Sequence, residues 1–289
     1  MSVAALETEV LAPARSRVLA KFLRNRSAVV GAVMVGIFVA LAVLAPLISP
    51  YDPNQTNFAA LRKPPSMAHW LGTDELGRDI LSRVMHGGIA SLYAGVLSVA
   101  IALLIGLPIG LAAGWYSGAV DAIISRATDA LLAVPFLILA IAFAAALGPS
   151  LTNAMIAIGL SQVPIFVRIT RGQVLAMRNE DFIEGARAVG VADFMILLRH
   201  VTPNIVPPLL VQATLTVAVA IIAEASLSFL GLGQQPPAPS WGSMLNTAKN
   251  FLEQAPWMSF SPGAAIFFVV LGFNLFGDGL RDALDPRET

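Results

Sequence analysis

Cysteine is absent from this chain, which excludes disulfides, thiol catalysis and cysteine-held metals. Its compartment is therefore not legible from redox chemistry. Charge is scarce: Asp, Glu, Lys and Arg make up 12% of the 289 residues, against about a quarter in soluble domains. With 56% hydrophobic residues, that shortage excludes a water-soluble globule. The 18 basic and 18 acidic groups cancel, so nothing implies a general affinity for nucleic acid. The three histidines, His69, His86 and His200, are scattered and form no ligand cluster, so no metal site is expected. No G-x-x-x-x-G-K-[ST] run exists, nor any Gly-Lys pair, so a P-loop for nucleotide phosphates is excluded.

What the chain has instead is uncharged length. Runs 27–51, 84–120, 130–167, 200–223 and 254–277 carry no Asp, Glu, Lys or Arg. A membrane-spanning helix needs about 20 apolar residues. The run 130–167 is too long for one helix, and Gly148-Pro149-Ser150 with Asn153 supplies a turn in its middle. The pattern predicts an all-α membrane protein with six spans, near 28–49, 89–115, 129–147, 151–170, 204–229 and 263–279. Continuous, non-alternating apolarity favours an α-bundle over a β-barrel. The first run follows Arg15, Arg17, Lys21, Arg24 and Arg26, but it is too long for a signal-peptide core. Leu47-Ile48-Ser49-Pro50 is also a poor cleavage site, so an uncleaved first span is expected.

Six spans put both termini on one side. That side would carry thirteen Lys and Arg and the opposite side five, so the positive-inside rule makes both termini cytoplasmic. In a bacterium, segments 51–88 and 231–262 then face outward. His69 to Arg83 reads as a loop feeding a short helix, with Thr73 as N-cap and Asp74 and Glu75 in its first turn. Pro236-Pro237-Ala238-Pro239 is stiff and extended. These outer segments either bind something outside or cap the bundle, and the residues leave both readings open. Gly106, Gly110 and Gly114 form a small-xxx-small face for close helix packing. Pro108 and Pro135 are expected inside helices, kinking them, and Asp129 is expected to cap the third span. Glu224 is a carboxylate deep in apolar sequence, which makes it, with Ser228 one turn on, a candidate for lining a pathway. The alternatives are a pairing across a subunit interface and a place at headgroup level.

Between two uncharged runs lies a charged island, 168–204, with five arginines and four carboxylates. Asn179 is positioned to cap a helix whose first turn holds Glu180 and Asp181. Phe182, Ile183, Ala186 and Val189 share one face by helical spacing, and Glu184 and Arg187 are neighbours on the other. Gly190 sits where a helix ends in the left-handed conformation. A second short helix restarts near Asp193, and Pro203 punctuates entry to the fifth span. Physically, the island is either a helix resting on lipid headgroups or one offered to a partner.

These residues resemble a known pattern. Glu184-Gly185-Ala186, three residues, Gly190, then nine residues before a segment ending at Pro203 is similar to the "EAA" loop of ABC importer permeases. The chain departs from it at Gly185, His200 and Thr202, where that loop has Ala, Ile and Leu. Gly72-Thr73-Asp74 with Gly77-Arg78-Asp79 and Ser82-Arg83 resembles the outer loop of dipeptide/oligopeptide permease C-type subunits. So do Glu224 to Gly233, Ser240-Trp241-Gly242, and the ending Asp278 to Arg287.

The resemblance implies a type I ABC importer permease, one half of the translocation pathway of an ATP-driven di- or oligopeptide importer. Its implied parts are an N-terminal tail, first span and outer loop (1–87), a five-helix core (88–283) with the coupling loop at 171–203, and a tail (284–289). Glu184, Ala186 and Gly190 match the coupling motif, with Gly185 at its variant position, and Phe182, Ile183 and Arg187 join them by periodicity. The implied partners are a second, homologous permease subunit, two cytoplasmic ATPases that hold the ATP and magnesium, and an extracytoplasmic solute-binding protein. The chain itself would be no enzyme, hold no cofactor, and reside in a bacterial inner membrane. The same permease type could serve nickel, glutathione or another small solute. An ion-coupled transporter would show internal repeats, broken helices and more buried charge. An intramembrane enzyme would need a catalytic pair that the sequence lacks.

Overall fold

The computed structural model describes residues 14–284, and the regular elements among them are all helical. A short α1 (Ala14–Arg24) precedes α2 (Arg26–Ile48). Asn25 makes the break: its side chain accepts from the Ala28 amide at 3.2 Å, capping α2, and donates to Asp282 at 2.9 Å. The long α3 (Ile80–Tyr116) begins well before the expected 89, because Asp79 caps it by accepting from the Ser82 amide at 2.8 Å. The short helix expected at 73–83 with Thr73 as its cap is thereby corrected. Residues 75–77 form a turn between Thr73 and Asp79, which pair in an isolated antiparallel bridge, and Thr73 donates to the Ala60 carbonyl at 2.5 Å to close the loop. Positions 87 and 88 both lie inside α3. Residues 1–13 and 285–289, including Asp285-Pro286-Arg287 and most of the tail 284–289, lie outside the described residues.

The expected single span 129–147 is two helices. α4 (Gly118–Leu132) and α5 (Phe136–Leu147) meet at 92°. Pro135 stands at the break and not inside a helix, since it lacks the N–H a continuing helix would use. At 12 residues, α5 is about 18 Å long, short of a bilayer core of about 30 Å. Five other helical stretches are long and apolar enough to cross a membrane, and α4 with α5 makes a sixth if the bent pair counts as one. Asp129, expected as the cap of that span, lies inside α4. By contrast α3 is continuous through Pro108.

Ser150 caps α6 (Leu151–Met177), which extends past the expected 170 and carries the first part of the charged island. Then come α7 (Asp181–Ala188), α8 (Asp193–Ile196), a π-turn at 197–201, α9 (Thr202–Phe229), α10 (Trp241–Ala248) and α11 (Trp257–Leu284).

The tightest pairing is α3 against α6, and the glycine stripe makes it. A Cβ at Gly106, Gly110 or Gly114 would come within 2.7, 2.5 or 2.6 Å of Phe166, Thr170 or Val174 on α6. Where lipid surrounds the helices, apolar burial drives little association, so such close van der Waals approach supplies it. Alanines do the same where α5, α6 and α9 meet, at Ala140, Ala144, Ala157, Ala220 and Ala223, all buried. Two larger clusters flank this centre. One lies around Phe38, Trp241 and Phe273, the other around Phe166, Val174, Ile183 and Ile205.

Candidate coupling surface and outer site

The island folds into a mount and a protruding helix. Three of its arginines belong to the mount. Arg171 grips Asp121 of α4 through both carboxylate oxygens at 2.5 and 2.8 Å, and Arg168 reaches Asp129 at 2.6 Å. Arg178 donates to the Ser117 hydroxyl and, at 3.4 Å, to the Gly114 carbonyl at the end of α3. The partners Asp121 and Ser117 are not legible in the sequence, since they lie 50 and 61 residues away with no motif marking them.

α7 projects from this mount. Its N-cap is Glu180, not the expected Asn179, because the turn after α6 runs one residue further, with the Glu180 amide donating to Met177. Asp181 and Glu184 occupy the first turn, where the helix dipole favours anions. The expected stop at Gly190 is realised: φ is +81°, the Val191 amide donates to Ala186 and the Gly190 amide to Arg187. These two bonds are a Schellman motif, which satisfies the carbonyls a helix end leaves open.

The predicted apolar face of α7 divides. Ile183 and Ala186 are buried in the cluster around Phe166, Val174 and Ile205, whereas Phe182 is 47% and Val189 80% exposed. An eight-residue helix seated edge-on against the core has room to bury only one row of side chains. Arg187 does not pair with Glu184; its guanidinium lies 4.6 Å from the ring centre of Trp115, the last buried residue of α3. Glu184 and Gly185 face outward, and among the described residues Glu184 makes no ion pair. Phe194 and Leu198, 70% and 54% exposed, extend the apolar patch beyond α7.

At the opposite end, the loop 49–79 is organised by buried charge. Asp74 accepts from Arg78 at 2.6 Å and lies 3.4 Å from Arg83, while Arg78 also reaches Glu75 at 2.6 Å. Arg83 donates to the Pro53 carbonyl at 2.7 Å and that of Pro237 at 3.5 Å, tying the two outer segments together. The Glu75 carboxyl is pushed above the usual range, by burial first and then by neighbouring Asp74. Glu224 is fully buried near the C-terminal end of α9. It accepts from Ser228 at 2.7 Å and from Ser91 of α3 at 3.3 Å. Ser228 in turn accepts from the Gln234 amide at 3.0 Å and borders a cavity of about 280 Å³, so Glu224 stands behind that wall and Ser228 in it. Among the described residues no cluster of His, Asp or Glu could hold a metal.

The family model described as "binding-protein-dependent transport system inner membrane component" matches residues 106–289. The chain belongs to that family. The N-terminal membrane domain of oligopeptide transport permease C also matches, over residues 15–65 of the permease. The permease is 46% identical over 264 residues to the dipeptide transport system permease protein DppC of Alkalihalophilus pseudofirmus, covering 91% of this chain and 87% of that protein. It is 45% identical over 268 residues to the glutathione transport system permease protein GsiD of Pectobacterium atrosepticum, covering 92% and 89%. A probable D,D-dipeptide transport system permease protein, DdpC of Escherichia coli, is 44% identical over 259 residues, covering 90% and 87%. Among solved structures, a chain of the MetNI methionine ABC transporter in inward-facing conformations matches with a TM-score of 0.57 at 21% identity, covering 70% of this chain and 97% of that one. The permease is thus a multi-pass inner-membrane subunit with the ABC importer fold. The break between α4 and α5 is one feature expected of an ion-coupled transporter, but it lies inside a chain that the importer family accounts for.

Proposed function

We propose that this permease forms half of the translocation pathway of an ATP-driven importer of di- or oligopeptides, with α7 as its coupling helix. The observation that carries the reading is the construction of α7. Ile183, Ala186 and Arg187 fasten it to the core and to Trp115, and the Gly190 turn fixes its end, while Phe182, Glu184, Gly185 and Val189 face outward. That is what a docking element needs: a stiff attachment on one side and an unpartnered apolar and anionic face on the other. The names of the relatives supply the substrate class, since a dipeptide, a D,D-dipeptide and glutathione all contain linked amino acids.

A second permease subunit completes the pathway, two cytoplasmic ATPases receive α7 and its counterpart, and an extracytoplasmic binding protein delivers peptide. ATP and magnesium belong to the ATPase subunits; this chain holds no cofactor and is no enzyme. Both termini and α7 face the cytoplasm, following the excess of basic residues on that side.

The test is the complete complex in liposomes with Glu184→Ala. Glu184 is exposed and unpaired, so the variant folds. Peptide uptake and binding-protein-stimulated ATP hydrolysis fall about tenfold, within the usual range of coupling energies, while the ATPase subunits alone keep their basal turnover. Unchanged uptake in both Glu184→Ala and Phe182→Ala removes the coupling assignment.

A further inference from the structure

The cavity behind the outer loop has the composition of a ligand site. Its volume of about 280 Å³ is enclosed by three separate parts of the chain. Glu75, Arg78 and Arg83 form one wall, Ser228 and Gln234 the second, and Asn246 of α10 the third. The charged wall is balanced, because Asp74 and Glu75 offset Arg78 and Arg83. Asp74 is taken up by Arg78 and Arg83, and Arg83 also holds the Pro53 carbonyl, whereas Glu75 spends one carboxylate oxygen on Arg78 and its side chain is 21% exposed. Among the described residues the side chains of Asn246 and Thr247 have no hydrogen-bond partner, although both border the cavity.

We propose that this cavity receives the amino-terminal end of a peptide, with Glu75 meeting the ammonium group and Asn246 and Gln234 meeting the first peptide unit. The inference rests on the peptide-importer reading and deepens it. Three physical features argue for this ligand class. A group leaving water needs each of its polar atoms re-partnered, and here donors, acceptors and both signs of charge converge in one place. Small-molecule sites usually measure about 300–1,000 Å³, so this one takes the end of a peptide and not its whole length. The site also has no net charge, so it holds a single ammonium weakly enough to release it, as a transport site must.

The absence of cysteine makes a direct test available. In the whole complex, Thr247→Cys, which borders the cavity but is none of the proposed contacts, carries the only thiol of this chain, and its reaction with a membrane-impermeant maleimide is followed by the mass of this subunit. Trialanine slows labelling roughly threefold at twice its dissociation constant, and N-acetyl-trialanine does not. Adding Glu75→Gln abolishes the protection, and Met67→Cys, on a side chain 93% exposed, is insensitive throughout. Ala238→Cys, which also borders the cavity, serves if Thr247→Cys fails to assemble. Labelling unaffected by trialanine, in a complex that still takes the peptide up, overturns the site and leaves the importer reading intact. A wild-type complex that takes up no peptide overturns the importer reading itself, and the site with it. Protection by the binding protein alone, without peptide, assigns the cavity to that protein and also overturns the proposal.

Discussion

At the scale of single residues, the glycines of α3 are the sharpest determinants of this fold. Gly110 admits no side chain: a Cβ there would lie 2.5 Å from the Thr170 Cβ and 2.8 Å from the Val167 carbonyl oxygen, and backbone does not yield. Gly110→Leu is therefore expected to destabilise by about 1–3 kcal/mol, seen as a lower unfolding temperature of the purified complex. Gly36→Leu on α2, where nothing lies within 4 Å, leaves that temperature unchanged. If the two variants behave alike, the α3–α6 contact is not what the glycines serve. This stripe was legible in the sequence because a spacing of four carries it on one helix face. Gly190 was legible for a similar reason, as a local stop signal. The second partner of Glu224, besides Ser228, was not. Ser91 lies 133 residues away, and no local pattern announces a contact made only when α3 and α9 cross.

At the scale of elements, legibility followed composition. The turn at 148–150 was readable, since Gly and Pro interrupt an apolar run there. The break at 133–135 was not, because the sequence stays apolar on both sides of Pro135 and the more polar α4 reads as a loop. For α7 the helix and its end were readable, but the face it buries was not. Periodicity groups Phe182 with Ile183, and only packing against the core decides which of them is covered: Ile183 joins the cluster that includes Trp115, over whose ring Arg187 lies. That contact leads to a prediction. A cation over an aromatic ring contributes on the order of 1 kcal/mol, so Trp115→Leu, which keeps bulk but removes the ring face, loosens α7. Amide hydrogen exchange across 181–189 becomes about fivefold faster, with exchange in α11 unchanged. Equal exchange in wild type and variant would show that Ile183 and Ala186 alone hold the helix.

For the whole molecule, the asymmetry of charge predicts which end faces which compartment. On intact cells stripped of their outer layers, a membrane-impermeant maleimide is expected to label Met67→Cys and to spare Val189→Cys, although both side chains are at least 80% exposed. Permeabilising the membrane exposes the second. Labelling of Val189→Cys before permeabilisation reverses the orientation and places α7 on the wrong side for a cytoplasmic ATPase.

The 37 residues of α3 have one further consequence. At 1.5 Å per residue the helix is about 55 Å long, nearly twice the hydrocarbon thickness of about 30 Å. One end holds Trp115 against Arg187, and the other begins at Asp79 and carries Arg83 among the outer loops. A single rod pinned in its last third by the glycine contact, close to Trp115, is a lever with a long arm toward Asp79. A tilt of about 5° shifts one end relative to the other by about 5 Å over that length. The Asp79 end can thus follow the Trp115 end mechanically, with no relay of side chains between them.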